Sequence, residues 1–212
     1  MSTLDLKNDK GEADPVLLNL LINRNPDYQY QVFNKLRSSR LIGAIVARKE
    51  KNVEMMQALF TSNDGKNAMP LFTSLNELDK WNDQARPLPL PAIEFARQVI
   101  EQNLDALILD ISSEHRFVVE HYMLHCLANN IDWTYPYLDR QIRELIENIC
   151  SKNQMIQKID IEKGIDCDLS ITIYGPTHLA ADLISLSKEI SEHEIMRQRA
   201  PFGADLFLSP SL

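Results

Sequence analysis

The residues best suited to bind a metal ion are three histidines and a cysteine: His115, His121, His125 and Cys126. His121 and His125 are four residues apart, so on a helix they share one face and could hold one ion. Tyr122 stands where the motif H-E-x-x-H has its glutamate, and Cys126 lies about 100° further round the helix. The spacing favours an exposed histidine pair beside a small buried thiol, with a shared metal ion as the alternative.

Asp110 is a second candidate for chemistry, because it follows the apolar run 106–109. Enzymes with α/β folds often place an acid where such a strand ends. Phosphoryl-transfer enzymes of that type usually carry a second Asp two residues later, where this chain has Ser112. The run 112–115 supplies nucleophile, acid and base types, but neighbours in sequence seldom meet in triad geometry and no G-x-S-x-G elbow occurs. We therefore expect Asp110 to end a structural turn.

Glycine usage bears on phosphate-binding cofactors. The chain has 6 glycines, scattered singly, and neither a P-loop nor a G-x-G-x-x-G motif. Cys150 and Cys167 lack any neighbouring residues that would stabilise a thiolate. The sequence therefore predicts no catalytic residue, no metal ligand and no cofactor.

The charge balance limits the class of partner. The chain has 212 residues, with 22 Lys and Arg against 30 Asp and Glu, and a formal net charge of -8. An acidic balance argues against nucleic acid or an anionic membrane as the main partner. The local exception is the basic run 35–51, in which Glu50 is the only acid. We interpret this run as the solvated edge of a hairpin.

Cysteine usage and the N-terminal residues indicate a cellular compartment. Cys126, Cys150 and Cys167 are widely spaced and odd in number, and the polar residues 1–14 contain no apolar core of a signal peptide. No apolar stretch approaches the roughly 18 residues that a membrane span needs. We expect a cytoplasmic protein with reduced, mostly buried thiols.

Hydrophobic spacing and capping residues predict alternating helices and strands in the first half. Asp14-Pro15 and Asn25-Pro26 are each typical of an N-cap and a first helical residue. Ser74 with Glu77 three residues later forms a capping box. The predicted elements are helices opening at 15 and 26, strands at 41–47, 53–61 and 68–73, a helix at 74–81, strands at 86–90, 106–109 and 117–119, and helices at 91–102 and 120–128.

Two short motifs refine this prediction. Asp64-Gly65 is the strongest hairpin signal in the chain. The run 86–91, Arg-Pro-Leu-Pro-Leu-Pro, resembles a polyproline ligand, yet it alternates like an edge strand between two other elements. We interpret it as an edge strand, and an exposed edge is a docking site for another strand.

The turn-rich stretch 129–136 separates two predicted halves. The second half is predicted as a helix at 138–149, strands at 156–161 and 169–174, a long helix from 175 to 190 and a strand at 204–208, an α-β-β-α-β order. We therefore expect a disordered tail at 1–13, a first domain at 14–130 and a smaller α+β domain at 131–212.

Residues 53–119 carry a pattern that resembles a known family. The matching residues are Val53-Glu54-Met55, Leu59-Phe60-Thr61, Asp64-Gly65, Met69 to Ser74, Leu78, Trp81, Ala85 to Pro89, Asp105 to Asp110 and Arg116 to Val119. This pattern is similar to the SseB N-terminal domain of bacterial proteins named for enhanced serine sensitivity, over residues of about 14–128. Its most specific element is the step Pro-x-Phe-Thr-Ser into a short helix that ends at Trp81. Residues 131–212 resemble, more weakly, the C-terminal part of longer members, which end in a similar pattern to Arg199 to Leu206.

The resemblance implies an α+β domain with a mixed sheet and flanking helices. It implies no agreed activity, no catalytic residues and no cofactor. Ile111-Ser112-Ser113 departs from the Pro or Gly turn that many members have there. Trp81 is expected to pack the short helix onto the sheet.

Taken together, these patterns predict a non-catalytic cytosolic interaction or regulatory module. Its expected surface is a sheet edge or the cleft between the halves near residues 129–136. Its expected partner is an unknown protein, with a homo-oligomer as a further option, and neither nucleic acid nor membrane is expected. The alternatives are a small, metal-dependent enzyme that uses the region from Asp110 to His125, and a sensor of a small molecule such as an amino acid.

Overall fold

The computed structural model of this protein describes residues 10–49, 53–63 and 65–210. The chain divides into two compact units, Met1–Trp133 and Thr134–Leu212. Both units contain helices and strands, which confirms the predicted α+β class. That 14–130 and 131–212 are separate domains stays a prediction, and most of the expected tail lies outside the described residues.

The first unit consists of five helices and seven strands within its described residues. They are α1 (Pro15–Ile22), α2 (Tyr28–Leu36), β1 (Arg40–Lys49), β2 (Val53–Gln57), β3 (Phe60–Thr61), β4 (Asn67–Phe72), α3 (Leu75–Asn82), β5 (Arg86–Pro91), α4 (Ala92–Glu101), β6 (Ala106–Leu109), β7 (Phe117–Glu120) and α5 (His121–Asn129).

These strands form one mixed sheet. The long strand β1 pairs antiparallel with β2, β4 and β5, and β3 pairs antiparallel with β4. β4 and β6 are parallel, and β6 pairs antiparallel with β7. In the described part of the chain β2, β3, β5 and β7 each pair with one strand, so each has an unpaired edge. The edge-strand prediction for 86–91 is confirmed.

Helices cover both faces of this sheet. On one face Phe72 and Leu78 belong to a buried cluster, and the Trp81 ring lies 5.6 Å from the Phe72 ring, which confirms the expected role of Trp81. On the other face Phe95 of α4 lies so close to Gly43 of β1 that a Cβ there would be 2.8 Å from the Phe95 ring. Gly43 therefore allows α4 to pack directly on the strand.

Two capping signals and one hairpin signal of the first unit give three different outcomes. Asp14 accepts hydrogen bonds from the backbone of Val16 and Leu17, at 2.9 and 3.1 Å, as an N-cap does. The predicted helix start at Asn25-Pro26 is wrong, because α2 begins at Tyr28 and the Asn25 side chain instead accepts from the backbone of Asp27 at 3.0 Å. Asn prefers such a local turn when no helix follows immediately. The hairpin signal at Asp64 lies outside the described residues.

The second unit contains a three-stranded sheet and three α-helices in its described residues. Its elements are a 3-10 helix (Pro136–Leu138), α6 (Arg140–Cys150), β8 (Lys158–Lys163), β9 (Leu169–Gly175), a second 3-10 helix (Thr177–Ala181), α7 (Leu183–Glu192), α8 (Glu194–Arg199) and β10 (Ala204–Pro210). The single long helix predicted after Gly175 is wrong, because the chain forms a 3-10 turn first and α7 begins only at Leu183.

β9 is the centre of this second sheet. It pairs antiparallel with β8 and parallel with β10. Leu169, Ile171 and Ile173 of β9 are fully buried, and they belong to one core with residues of α6, α7 and α8. Among the described helices of the whole chain, none has the length and apolar character to cross a membrane.

Candidate functional site

A polar cluster lies where two parallel strands of the first unit end. β4 ends at Phe72 and is followed by Thr73 and by Ser74, the N-cap of α3. The neighbouring strand β6 ends at Leu109 and is followed by Asp110. The carboxyl ends of parallel strands are the usual place for ligands in open α/β sheets. The parallel pairing therefore gives this cluster the position of a binding site.

Asp110 is the centre of the cluster. It is fully buried, and its φ of +47° lies in the left-handed region that Asp tolerates better than most residues. Its Oδ1 accepts from the backbone N–H of Thr73 at 2.8 Å, and its Oδ2 accepts from the Thr73 hydroxyl at 2.8 Å. The carboxylate thus holds the turn between β4 and α3 against the end of β6.

His115 adds a third contact to the same carboxylate. Its Nε2 lies 3.0 Å from Asp110 Oδ2, and its side chain is 16% exposed. When Asp110 is ionised its oxygens can only accept, so Nε2 of His115 carries the proton in this contact. His115 is therefore the member of the pair that solvent can reach.

Glu77 of α3 brings a second carboxylate to the cluster. It is almost fully buried and accepts from the Lys80 ammonium at 2.6 Å and from the Ser113 hydroxyl. Three Asp, Glu, His or Cys side chains could hold one metal ion where their ligand atoms lie close together. One such group occurs in the described ranges: the possible ligand atoms of Glu77, Asp110 and His115 all lie within 4.8 Å of one another. Two carboxylates and an imidazole are ligands that divalent transition metals accept.

The environment shifts the pKa values of the two carboxyl groups in opposite directions. Burial raises the pKa of Asp110, and the nearby Glu77 charge adds to this against the hydrogen bonds from Thr73. Burial also acts to raise the pKa of Glu77, but the hydrogen bonds from Lys80 and Ser113 with the Lys80 charge outweigh it, so that pKa is lowered. Two neighbouring carboxyl groups whose pKa values are shifted in opposite directions are typical of a general acid and a general base.

The polar groups of the cluster also find their hydrogen-bond partners within the chain, which indicates a structural role. Within the described residues no buried side-chain nitrogen or oxygen lacks a hydrogen-bond partner. Asp110 has no solvent exposure, so a reacting molecule can reach only His115 and the half-buried Ser113. The arrangement ties the β4–α3 turn to the loop after β6 and does so without any added group.

The metal site considered from the spacing of His121, His125 and Cys126 does not form in the structure. His121 is the first residue of α5 and has a φ of +50°, so it is not on the regular helix that the four-residue spacing assumed. His125 is exposed and stacks on Tyr122, with 6.0 Å between ring centres. Cys126 is fully buried. In the described residues these three do not form a ligand set, whereas His115 joins Asp110.

Sequence reasoning missed Glu77 as a member of the cluster. The sequence pattern places Glu77 in the capping box, and Ser74 does accept from the Glu77 backbone N–H at 3.2 Å. Its carboxylate, however, bonds Ser113, which is 36 residues away in the chain. Glu77 and Ser113 meet because β4 and β6 are parallel neighbours. The order of apolar runs in the sequence does not establish that pairing, so it could not reveal the contact.

A second feature of the first unit is a group of exposed apolar side chains near the β2 edge of the sheet, where the strand neighbours Met55 and Met56 point to opposite faces. We define the β2–β3 patch as Met55, Met56, Leu59 and Phe60. Their exposed fractions are 45%, 41%, 50% and 40%. β2 pairs only with β1 among the described strands, so its other edge has no strand partner. Large apolar side chains on an unpaired edge are typical of a docking surface.

The fold and these two features define an α+β domain with a mixed sheet, a satisfied polar cluster and an apolar edge. The family model of the SseB protein N-terminal domain matches residues 16–125. Because the match covers more than half of the chain, the chain belongs to the SseB family. Comparison with curated proteins and with solved structures gave no match.

Proposed function

We propose that this chain is a non-catalytic interaction or regulatory module of the SseB family that works in the cytoplasm, and that the β2–β3 patch binds a protein partner. The observation that carries the proposal is the exposure of four large apolar side chains, each at least 40% exposed, within six residues of sequence. By contrast, β4 of the same sheet buries its side chains from Ala68 to Phe72.

The chemistry of the patch indicates the kind of partner. Methionine is flexible and polarisable, and it is overused on surfaces that adapt to different ligands. The expected partner is therefore an extended apolar segment, added as a strand along β2.

The polar cluster supports this function over catalysis. The Asp110 carboxylate accepts three contacts and has no exposure, and both oxygens of Glu77 already have donors. A catalytic carboxylate must reach a substrate proton, usually directly or through one water. The cluster instead holds the frame of the sheet from which the patch projects.

Photo-crosslinking in cells tests the proposal. A benzoylphenylalanine at Leu59, which is 50% exposed, is expected to give a discrete adduct with another protein. The matched control is the same residue at Ile22, which is 57% exposed at the end of α1. Adducts that are equal at both positions, or absent at Leu59, would show that the patch is not a binding surface.

A second candidate function is a small metal-dependent enzyme, and one observation favours it. Glu77, Asp110 and His115 offer ligand atoms within 4.8 Å at the carboxyl ends of β4 and β6. If this candidate is right, Zn²⁺ or Mn²⁺ binds the full chain with one site, His115→Ala abolishes that binding, and His121→Ala does not. Titration calorimetry with each metal measures this, and binding that survives His115→Ala excludes the cluster as the metal site.

The third candidate, a sensor of an amino acid or another small molecule, stays a prediction that rests on the family's name. A ligand that binds only the folded state must raise its stability. A thermal-shift screen of the amino acids is therefore its test, and a melting temperature that no amino acid raises contradicts it.

A further inference from the structure

β10 leaves one long edge of the second sheet without a strand. It runs parallel to β9 over all seven residues from Ala204 to Pro210, and no other described strand pairs with it. Edge strands are commonly protected by lysine, by proline in mid-strand or by a bulge. In β10 the one charged residue is Asp205, and Pro210 is the last residue. The middle of this edge is therefore open to pairing.

The apolar core of the second unit extends to β10, where its side chains are only partly buried. Ala204, Leu206 and Leu208 pack against the core but are only partly buried, whereas the corresponding residues of β9 are fully buried. Ile184 of the adjacent helix α7 is 82% exposed. A groove of about 470 Å³ runs between α7 and the first half of β10, and Leu206 and Ile184 both line it.

From this edge we infer that a second copy of the chain pairs its β10 antiparallel with β10, about a two-fold axis at Phe207. The two three-stranded sheets then join into one continuous sheet of six strands. A two-fold interface uses the same surface twice and must be self-complementary. The inference uses the second unit only, so it stands or falls independently of the β2–β3 patch.

The register follows from charge and strand length. A two-fold axis perpendicular to the sheet at Phe207 pairs all seven residues of β10, because Phe207 is its central residue. Asp205 then lies opposite Ser209 of the second copy. An axis at Asp205 would place two carboxylates directly opposite, which is destabilising. An axis at Leu206 would leave Ser209 and Pro210 unpaired.

The side chains complement one another in this register. Leu206 lies opposite Leu208 of the second copy on the core-facing side, so the partly buried apolar stripe gains a cover. Phe207, which is 53% exposed on the other face, lies opposite its own equivalent. Aromatic and apolar cross-strand pairs are among the favourable ones in antiparallel sheets. Ile184 then borders the added strand along the α7 groove.

Sedimentation of the full chain tests the dimer. The expected mass is twice 24.3 kDa at high micromolar concentration. Phe207→Asp puts two like charges opposite each other at the axis and is expected to weaken dimerisation about tenfold or more. Ile165→Asp is the matched control, because Ile165 is 96% exposed in the same unit but outside β10. A wild-type chain that stays monomeric overturns the inference and leaves the edge to an extended segment of another protein.

Disulfide trapping tests the register, in a Cys167→Ser background that removes the one native thiol that is not buried. Phe207→Cys is expected to form a covalent dimer on mild oxidation, because residues opposite each other in antiparallel strands lie about 4.5–5.5 Å apart between Cα atoms. Asp205→Cys is the control, since its two copies would be about 13 Å apart along the strands. Equal trapping at both positions, or none at Phe207, overturns the inferred pairing.

Discussion

His115 Nε2 lies 3.0 Å from Asp110 Oδ2, the oxygen that also accepts from the Thr73 hydroxyl. The contact joins the loop after β6 to the turn after β4, through a carboxylate with no solvent exposure. Burying a carboxylate is costly unless it is hydrogen-bonded, and here both oxygens have donors. This pair is therefore the point at which the stability of the first unit can be tested most directly.

Replacing Asp110 by Ala should destabilise the first unit. The backbone N–H and the hydroxyl of buried Thr73 would both lose their acceptor, at a cost of about 2–5 kcal/mol in the free energy of unfolding. Asp110→Asn should cost less, because the amide oxygen still accepts from Thr73 and Asn tolerates the φ of +47°. Urea unfolding followed by tryptophan fluorescence reports on this unit, since Trp81 and Trp133 both lie in it.

The control for this series is Asp83→Ala, because Asp83 is exposed at the end of α3. Its effect should stay within about 0.5 kcal/mol, as for most surface substitutions. An Asp110→Ala chain as stable as this control would show that the cluster does not hold the sheet together.

Glu77→Gln should lower stability in a pH-dependent way. Because the pKa of Glu77 is lowered in the folded chain from its ordinary 4.5, its contribution is present above pH 4.5 and is lost as the pH falls through the lowered pKa. The substitution should therefore cost about 1–3 kcal/mol at neutral pH and less under acid conditions. Urea unfolding of both chains across that range measures the difference.

Glu114→Gln is the matched control for the pH experiment, since Glu114 is an exposed glutamate on the loop that carries Ser113 and His115. Its difference from the wild type should stay within about 0.5 kcal/mol, as for most surface substitutions. A cost for Glu77→Gln that does not shrink at low pH would contradict the assigned charge interactions with Lys80.

Trp81→Ala should destabilise α3 against the sheet. The Trp81 ring packs 5.6 Å from the Phe72 ring and borders a buried cluster, so its loss should cost about 2–4 kcal/mol. Trp81→Phe keeps an aromatic ring, so it should lose much less unfolding free energy than Trp81→Ala. Thermal unfolding by circular dichroism measures both, with Tyr30→Ala, at a 43% exposed site on α2, as the control expected to change little.

The three thiols should react at different rates with iodoacetamide. Cys126 and Cys150 are buried, and burial together with the Glu189 charge raises the pKa of Cys150. Cys167 is only partly buried, so it should be modified first in the folded chain, while all three should react in urea. Peptide mass spectrometry over time measures this, and modification of Cys150 as fast as Cys167 would contradict it.

Local sequence determined the type of most elements of this protein. The stripe from Ile142 to Ile149 became the buried face of α6, and the alternation over 169–174 became the central strand β9. Asp14-Pro15 capped α1 and Ser74 capped α3. These signals succeed because caps and periodic burial depend on residues only a few positions apart, and the same pattern of residues identified the SseB family.

The tertiary structure alone decided which polar side chains meet and which edges stay open. Glu77 joins Ser113 and Thr73 joins Asp110 across 36 and 37 residues, because β4 and β6 lie side by side and parallel. The predicted long helix after Gly175 instead became a 3-10 turn followed by α7. Strand order and direction result from packing over the whole chain, and no local pattern of residue types contains that information.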